Sequence, residues 1–201
     1  MKCIIINCDM GNLHSIQHKF RKLNVDAIIS SNPEEVETAD LLILPGVGHF
    51  SEGMKNLNNY ELIPVLNKKV LKDKTPILGI CLGMQLFSSW SEEGNIAGLG
   101  WVDATTKKIK FNNYNQQLKI PHVGWNTIMH NRKNNLFECI RADQHFYFIH
   151  SYHVVCNQKE DILSTTEYGI NFVSSLQKEN IFGTQFHPEK SHIEGMQVIG
   201  N

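Results

Sequence analysis

No apolar run in this 201-residue chain approaches the ~20 residues that a membrane-spanning helix needs. The opening Cys3-Ile4-Ile5-Ile6 stretch meets Asn7 and Asp9 at once, too short for the apolar core of a signal peptide. An excess of charge is missing too. Lys and Arg total 19 against 20 Asp and Glu, a formal net charge of -1. That balance excludes a global field aimed at nucleic acid or an anionic membrane surface, and leaves only local patches. The five cysteines, Cys3, Cys8, Cys81, Cys139 and Cys156, are odd in number. Their spacings fit neither a zinc site nor a disulfide framework. No repeat, low-complexity tract or linker divides the chain. These absences predict a cytoplasmic protein with reduced thiols, folded as a single domain over residues 1–201 and long enough for a substantial core.

What is present is an alternation. Residues 2–6, 26–30, 41–44 and 77–80 are short, mostly apolar runs and read as buried strands. Between them, Leu13, Ile16, Phe20 and Leu23 recur at helical spacing. Asn32-Pro33-Glu34-Glu35 reads as a cap followed by proline at the first helical position, and residues 56–72 read as helix-rich. Strands alternating with amphipathic helices predict an α/β fold, with a mostly parallel sheet covered on both faces. The second half reads as strands at residues 101–111, 118–120, 146–149, 153–156, 172–177 and 181–186. Turn residues such as Asn112-Asn113 and Lys178-Glu179-Asn180 separate several of them. Few long helices intervene, so mixed or antiparallel pairing is expected there.

Chemistry concentrates at Gly79-Ile80-Cys81-Leu82-Gly83. Strand, glycine, nucleophile, glycine, helix is the layout of a nucleophile elbow, with cysteine in place of serine. The turn would set the sulfur at the mouth of the following helix, where amide dipoles favour a thiolate. A cysteine nucleophile needs a base and a group that orients the base. His187-Pro188-Glu189, just after an expected strand, offers both. In a parallel sheet, sites form beyond the carboxyl ends of the strands. Pro45-Gly46-Val47-Gly48 and Cys81 both lie at such ends, so one crevice can hold them.

The chain resembles the class I, triad-type glutamine amidotransferases. The resemblance spans nearly its whole length. It rests on Met10-Gly11-Asn12-Leu13, Leu44-Pro45-Gly46-Val47-Gly48, the Cys81 elbow through Leu86, Gly98-Leu99-Gly100, and Gly183 through Ser191. Two further segments, Pro121-His122-Val123-Gly124-Trp125-Asn126 and Phe146 through Tyr152, narrow the likeness to the glutaminase subunits of imidazole glycerol phosphate synthases.

The resemblance implies a flavodoxin-like fold with no cofactor and no metal, and L-glutamine as substrate. Cys81 would attack the side-chain amide, His187 would carry the proton, and Glu189 would orient His187. Gly48 and the amide of Leu82 would form the oxyanion hole. Gly46, Val47, Gln85, His150, Ser151 and Tyr152 would bind glutamine, with His150 a competing candidate for the base. The ammonia would pass to a (β/α)8-barrel cyclase in a heterodimer, with Asn12 and Trp125 at the interface. From the sequence alone, a core position for Trp125 is an equal alternative. The products there would be imidazole glycerol phosphate and an aminoimidazole carboxamide ribotide. The isolated chain is expected to be a poor glutaminase, activated by the partner's ligand through the Gly48 loop.

Two departures qualify the resemblance. Asn7-Cys8-Asp9 stands where the family reads Asp-Tyr-Gly, in a loop near the partner and the mouth of the site. The chain also stops at Ile199-Gly200-Asn201, where the family continues into a short apolar helix ending. A truncation there would remove helix packing but no triad residue. The alternative reading is a paralogous amidotransferase that supplies ammonia for amidino groups on surface sugars. Outside enzymology, a non-catalytic binding subunit on the same fold is opposed by the presence of Cys81, His187 and Glu189 together. A cysteine peptidase is opposed by Gln85 and the Pro45–Gly48 loop.

Overall fold

The computed structural model describes residues 1–111, 118–141 and 143–201. The first half runs β1 (Cys3–Ile6), α1 (Leu13–Lys22), β2 (Ala27–Ser30), α2 (Pro33–Glu37), β3 (Leu41–Gly46), α3 (Phe50–Asn59), α4 (Leu62–Asn67), β4 (Ile77–Cys81) and α5 (Leu82–Leu86). Local chemistry sets these boundaries. The Asn12 side chain accepts from Ser15 N–H at 3.1 Å and caps α1. Asn32 does the same for α2, accepting from Glu34 N–H at 2.9 Å, with Pro33 just inside the helix. The helical stretch expected at residues 56–72 starts earlier, at Phe50, and is broken at Glu61. That residue adopts a left-handed φ of 55°. The chain then resumes as α4 and closes with a π-helical turn over Lys68–Lys72.

The second half carries β5 (Trp90–Ser91), β6 (Ile96–Ala97), β7 (Ala104–Lys108), β8 (His122–Thr127), β9 (Met129–His130), β10 (His145–His150), β11 (Tyr152–Cys156), β12 (Ile162–Glu167), β13 (Asn171–Lys178), β14 (Ile181–Thr184) and α6 (His192–Gly200). The strand expected over residues 101–111 is shorter, since Trp101 and Val102 are buried in irregular chain before β7 begins. Leu118–Ile120 is not a strand. Leu118 and Ile120 are exposed, so their apolar character does not mark a place in a sheet. The Asn112-Asn113 turn lies outside the described residues.

The main sheet has the order β2-β1-β3-β4-β14-β13-β12-β9. Strands β2 to β14 of that order are parallel, and the remaining pairs are antiparallel. Strands β1 and β4 are buried along their whole length, which is why they read as unbroken apolar runs. Side chains alternate between the two faces. Ile4, Ile6, Leu42 and Leu44 pack with Leu82 and Leu86 on one side. Ile5, Ile43 and Ile80 pack with Ile16 and Phe20 of α1 on the other. Beyond β14, Phe146, Phe148, Phe172 and Phe186 build a third cluster. It fixes β10, paired antiparallel with β8, against the antiparallel end of the main sheet. A separate four-stranded sheet, β11-β7-β5-β6, completes the layers. Among the described residues, no helix is long and apolar enough to cross a membrane.

Candidate active site

Strand β4 passes into α5 with no loop between them. The turn is made at Cys81 itself, which takes φ 54° and ψ −107°. An L-residue held there stores roughly 1–3 kcal/mol of backbone strain. Close packing leaves the chain little choice. A Cβ at Gly83 would lie 1.7 Å from the carbonyl oxygen of Leu44, so only glycine lets α5 rest on β3. The parallel register pairs Gly46 with Cys81, which places the following Val47-Gly48 beside the sulfur. Gly48 has a φ of +132°, a conformation that favours glycine, and packs against Met10.

His187 follows β14, the other neighbour of β4. Its ring is buried, its main-chain N–H donates to Tyr147 O at 2.9 Å, and its carbonyl accepts from Ser191 Oγ at 2.6 Å. Nδ1 bonds Glu189 Oε1 at 2.8 Å, so the carboxylate fixes the hydrogen on Nδ1. Nε2 is turned toward Cys81, and among the described residues neither it nor Glu189 Oε2 has a partner at full hydrogen-bond geometry. Burial alone would push the imidazole pKa down. The Cys81 sulfur and the Glu189 carboxylate outweigh burial and raise it to about 10. The arrangement favours a charged imidazolium beside the sulfur.

A cavity of about 230 Å³ opens over Cys81. That is below the ~300 Å³ at which pockets for drug-sized ligands begin, and suits a small metabolite. Val47, Gly48 and Leu82 form one wall, Gln85 and Glu93 another, and Ile149-His150-Ser151-Tyr152 the third. Of the expected glutamine-binding residues, Gly46 alone is absent from the lining. It lies directly behind, and a Cβ there would come 2.9 Å from the Leu82 side chain. His187 and Glu189 also lie outside the lining, on the protein side of the sulfur.

Two expectations are sharpened. Gln85 Nε2 donates both hydrogens to the protein, to Tyr152 O at 2.9 Å and Gln185 Oε1 at 3.0 Å. Only its Oε1 is left for a ligand. His150 cannot compete as the base. Its Nδ1 donates to Tyr152 O at 2.9 Å, so its Nε2 accepts from His122 Nδ1 at 3.0 Å. Burial depresses both rings, His150 to about 3 and His122 to about 4. Away from the cavity, Asn12 caps α1 at the surface. Trp125 is not a core residue: it is 45% exposed and lies flat on His192, with ring centroids 4.8 Å apart and planes at 8°.

Sequence reading missed Glu93 and Gln185. Glu93 borders the cavity while its Oε2 accepts from Phe50 N–H at 2.9 Å. The acidic pair Glu92-Glu93 before Gly94 was its only trace. Gln185 is fully buried, and its Nε2 lies 3.5 Å from Cys81 Sγ.

Set beside known proteins, residues 4–200 match the glutamine amidotransferase class-I family. The chain belongs to that family. As a class-I glutamine amidotransferase it is 50% identical to imidazole glycerol phosphate synthase subunit HisH 2 of Methanococcus maripaludis, over 98% of this chain and 96% of the other. It is 44% identical to the protein of the same name from Vibrio vulnificus, over 99% and 92%. A chain of PurLQS from Thermotoga maritima superposes with a TM-score of 0.73 at 15% identity, over 99% and 96%, a likeness of fold.

Proposed function

We propose that this amidotransferase is the glutaminase subunit of an imidazole glycerol phosphate synthase. The observation that carries the reading is the Cys81 sulfur on its strained elbow, with the buried His187–Glu189 pair behind it and a small pocket in front. Glutamine enters with its side-chain amide toward Sγ. Its α-ammonium finds acceptors in Gln85 Oε1 and the Glu93 carboxylate, both on the lining. Cys81 gives its proton to His187 Nε2, and the thiolate attacks the amide carbon. The oxyanion that forms takes hydrogen bonds from the amides of Leu82 and Gly48. As the first residue of α5, Leu82 has an N–H without an intrahelical acceptor. His187 returns the proton to the departing nitrogen, which leaves as ammonia. A glutamyl thioester remains on Cys81. Water, deprotonated at His187 Nε2, hydrolyses it to glutamate and regenerates the thiol. Glu189 keeps the ring in one tautomer and steadies its positive charge throughout.

Ammonia is useful only when captured. The relatives' names, each a subunit of imidazole glycerol phosphate synthase, support a partner subunit as the acceptor, and the family resemblance makes that partner a cyclase with a (β/α)8 barrel. Trp125, open to solvent and braced on His192, suits a contact with it. The test has two arms. A glutamine-like electrophile should modify Cys81, leave Cys3, Cys8, Cys139 and Cys156 untouched, and be excluded by excess glutamine. Failure to label Cys81 in the assembled complex removes the catalytic reading. Mixing the chain with the cyclase of the same organism should make glutamine support imidazole glycerol phosphate formation. No stimulation by that cyclase moves the ammonia to another acceptor, such as a synthase of amidino sugars.

A further inference from the structure

We infer that Gln185 is the N–H donor that holds the Cys81 sulfur in its ionised, aligned form. The inference rests on the reading of Cys81 as the nucleophile. Gln185 stands two residues before His187, with a side chain removed from solvent and a main-chain N–H bonded to Ser174 O at 2.9 Å. The orientation of its carboxamide is fixed by logic that begins at a main-chain carbonyl. Tyr152 O can only accept, so the Gln85 atom 2.9 Å from it is the amide nitrogen. That nitrogen has a second hydrogen, and the atom 3.0 Å away on Gln185 receives it, which makes that atom Oε1. The Gln185 NH2 group is thereby forced toward the sulfur, at 3.5 Å. Reversing either amide would set donor against donor or acceptor against acceptor in a dry interior.

A further neighbour of the sulfur has the opposite preference. Ile149 O, 3.7 Å from Sγ, can accept from a neutral S–H and repels a thiolate. Once the proton moves to His187, the Ile149 contact turns unfavourable, while the Gln185 contact becomes a charge-assisted hydrogen bond. Gln185 therefore favours the attacking form and keeps the sulfur from turning toward Ile149. Gln85 joins this line to the pocket. One residue thus faces glutamine with its oxygen and orients, with its nitrogen, the amide that touches the nucleophile.

The experiment is the pH profile of Cys81 alkylation by iodoacetamide in the full chain, with glutaminase kinetics alongside in the partnered complex. Gln185→Met keeps the volume and removes the donor. The apparent pKa of the Cys81–His187 couple should rise by about one unit, within the range of a charge-assisted hydrogen bond to sulfur. The value of kcat should fall about tenfold with KM within about twofold, since Gln185 borders the nucleophile and not the pocket. Gln185→Asn, which keeps an amide but withdraws it from the sulfur, should shift the profile in the same direction, and it decides the matter if the Met variant does not fold. Profiles for both that superpose on the wild type would overturn the inference. The alkylation profile does not depend on glutamine turnover. Persistent glutaminase activity in Cys81→Ala would remove the underlying reading without touching this result.

Discussion

Cys81→Gly should be more stable than Cys81→Ala, although glycine in place of alanine weakens nearly every ordinary buried position. Both variants lose the same sulfur and the same contact with His187, so those terms cancel in the comparison. What differs is the Cβ. At φ 54° and ψ −107° a side chain collides with its own backbone, at a cost of roughly 1–3 kcal/mol. Glycine is free of that collision, but its greater freedom in the unfolded chain costs about 0.5–1 kcal/mol. The balance favours glycine by about 1 kcal/mol. In a protein of this size that is an increase in Tm of about 2–4 °C over the alanine variant. Thermal melts and urea titrations of the two variants, with the same m-value, read the difference directly. Ala27→Gly is the control. Ala27 is buried in β2 with no strain of this kind, and there glycine should lower stability by roughly 0.5–1 kcal/mol. An alanine variant at Cys81 as stable as the glycine variant would refute the claim that the elbow stores strain.

Three further outcomes are expected. Glu189→Gln should cut glutaminase kcat by roughly 10²–10⁴-fold with KM nearly unchanged, because the neutral amide no longer fixes the His187 tautomer or steadies its charge; steady-state kinetics in the partnered complex measure it. Stability should fall as pH drops from about 6.5 toward about 4. The folded state keeps His122 and His150 neutral there while the unfolded chain takes up protons, worth about 1.4 kcal/mol per pH unit for each ring. Urea midpoints should show this acid slope reduced in His122→Phe, which keeps the stack on Phe148 and Tyr168. Trp125→Ala should weaken cyclase binding by about 2 kcal/mol, roughly thirtyfold, and leave Tm within about 2 °C because the ring is half open to solvent; calorimetric titration and a melt separate the two effects.

The parallel half of the fold was legible because strands buried on both faces leave unbroken apolar runs, and β1, β3 and β4 are such strands. A parallel sheet gathers the carboxyl ends of its strands on one edge, so the Gly46–Gly48 loop and Cys81 were bound to meet there. The second half was harder. Strand β8 reads His-Val-Gly-Trp-Asn-Thr, with Val123 and Trp125 facing outward and His122 inward, so its inward face is marked by a histidine and not by aliphatics. Leu118–Ile120 shows the converse: apolar side chains left at the surface imitate a strand. The break at Glu61 depends on a left-handed residue that no periodicity marks. At the site, the elbow and the His-Pro-Glu segment announce themselves because their spacing is local. Gln185 does not, since a buried amide tied to residues a hundred positions away leaves no pattern along the chain. Glu93 is likewise brought to the pocket by contacts distant in sequence, the pairing of β5 with β7 and the hydrogen bond that its carboxylate accepts from Phe50 N–H.

If the sulfur of Cys81 forms the bond to glutamine, its removal abolishes turnover. The most direct measurement is glutamate release by Cys81→Ala in the complex with the cyclase and its nucleotide ligand, at a concentration where the wild type turns over freely. No glutamate above the rate in buffer is expected, with the cyclase still using added ammonia at the wild-type rate. Glutamate release by the variant at the wild-type rate would contradict that role for the sulfur.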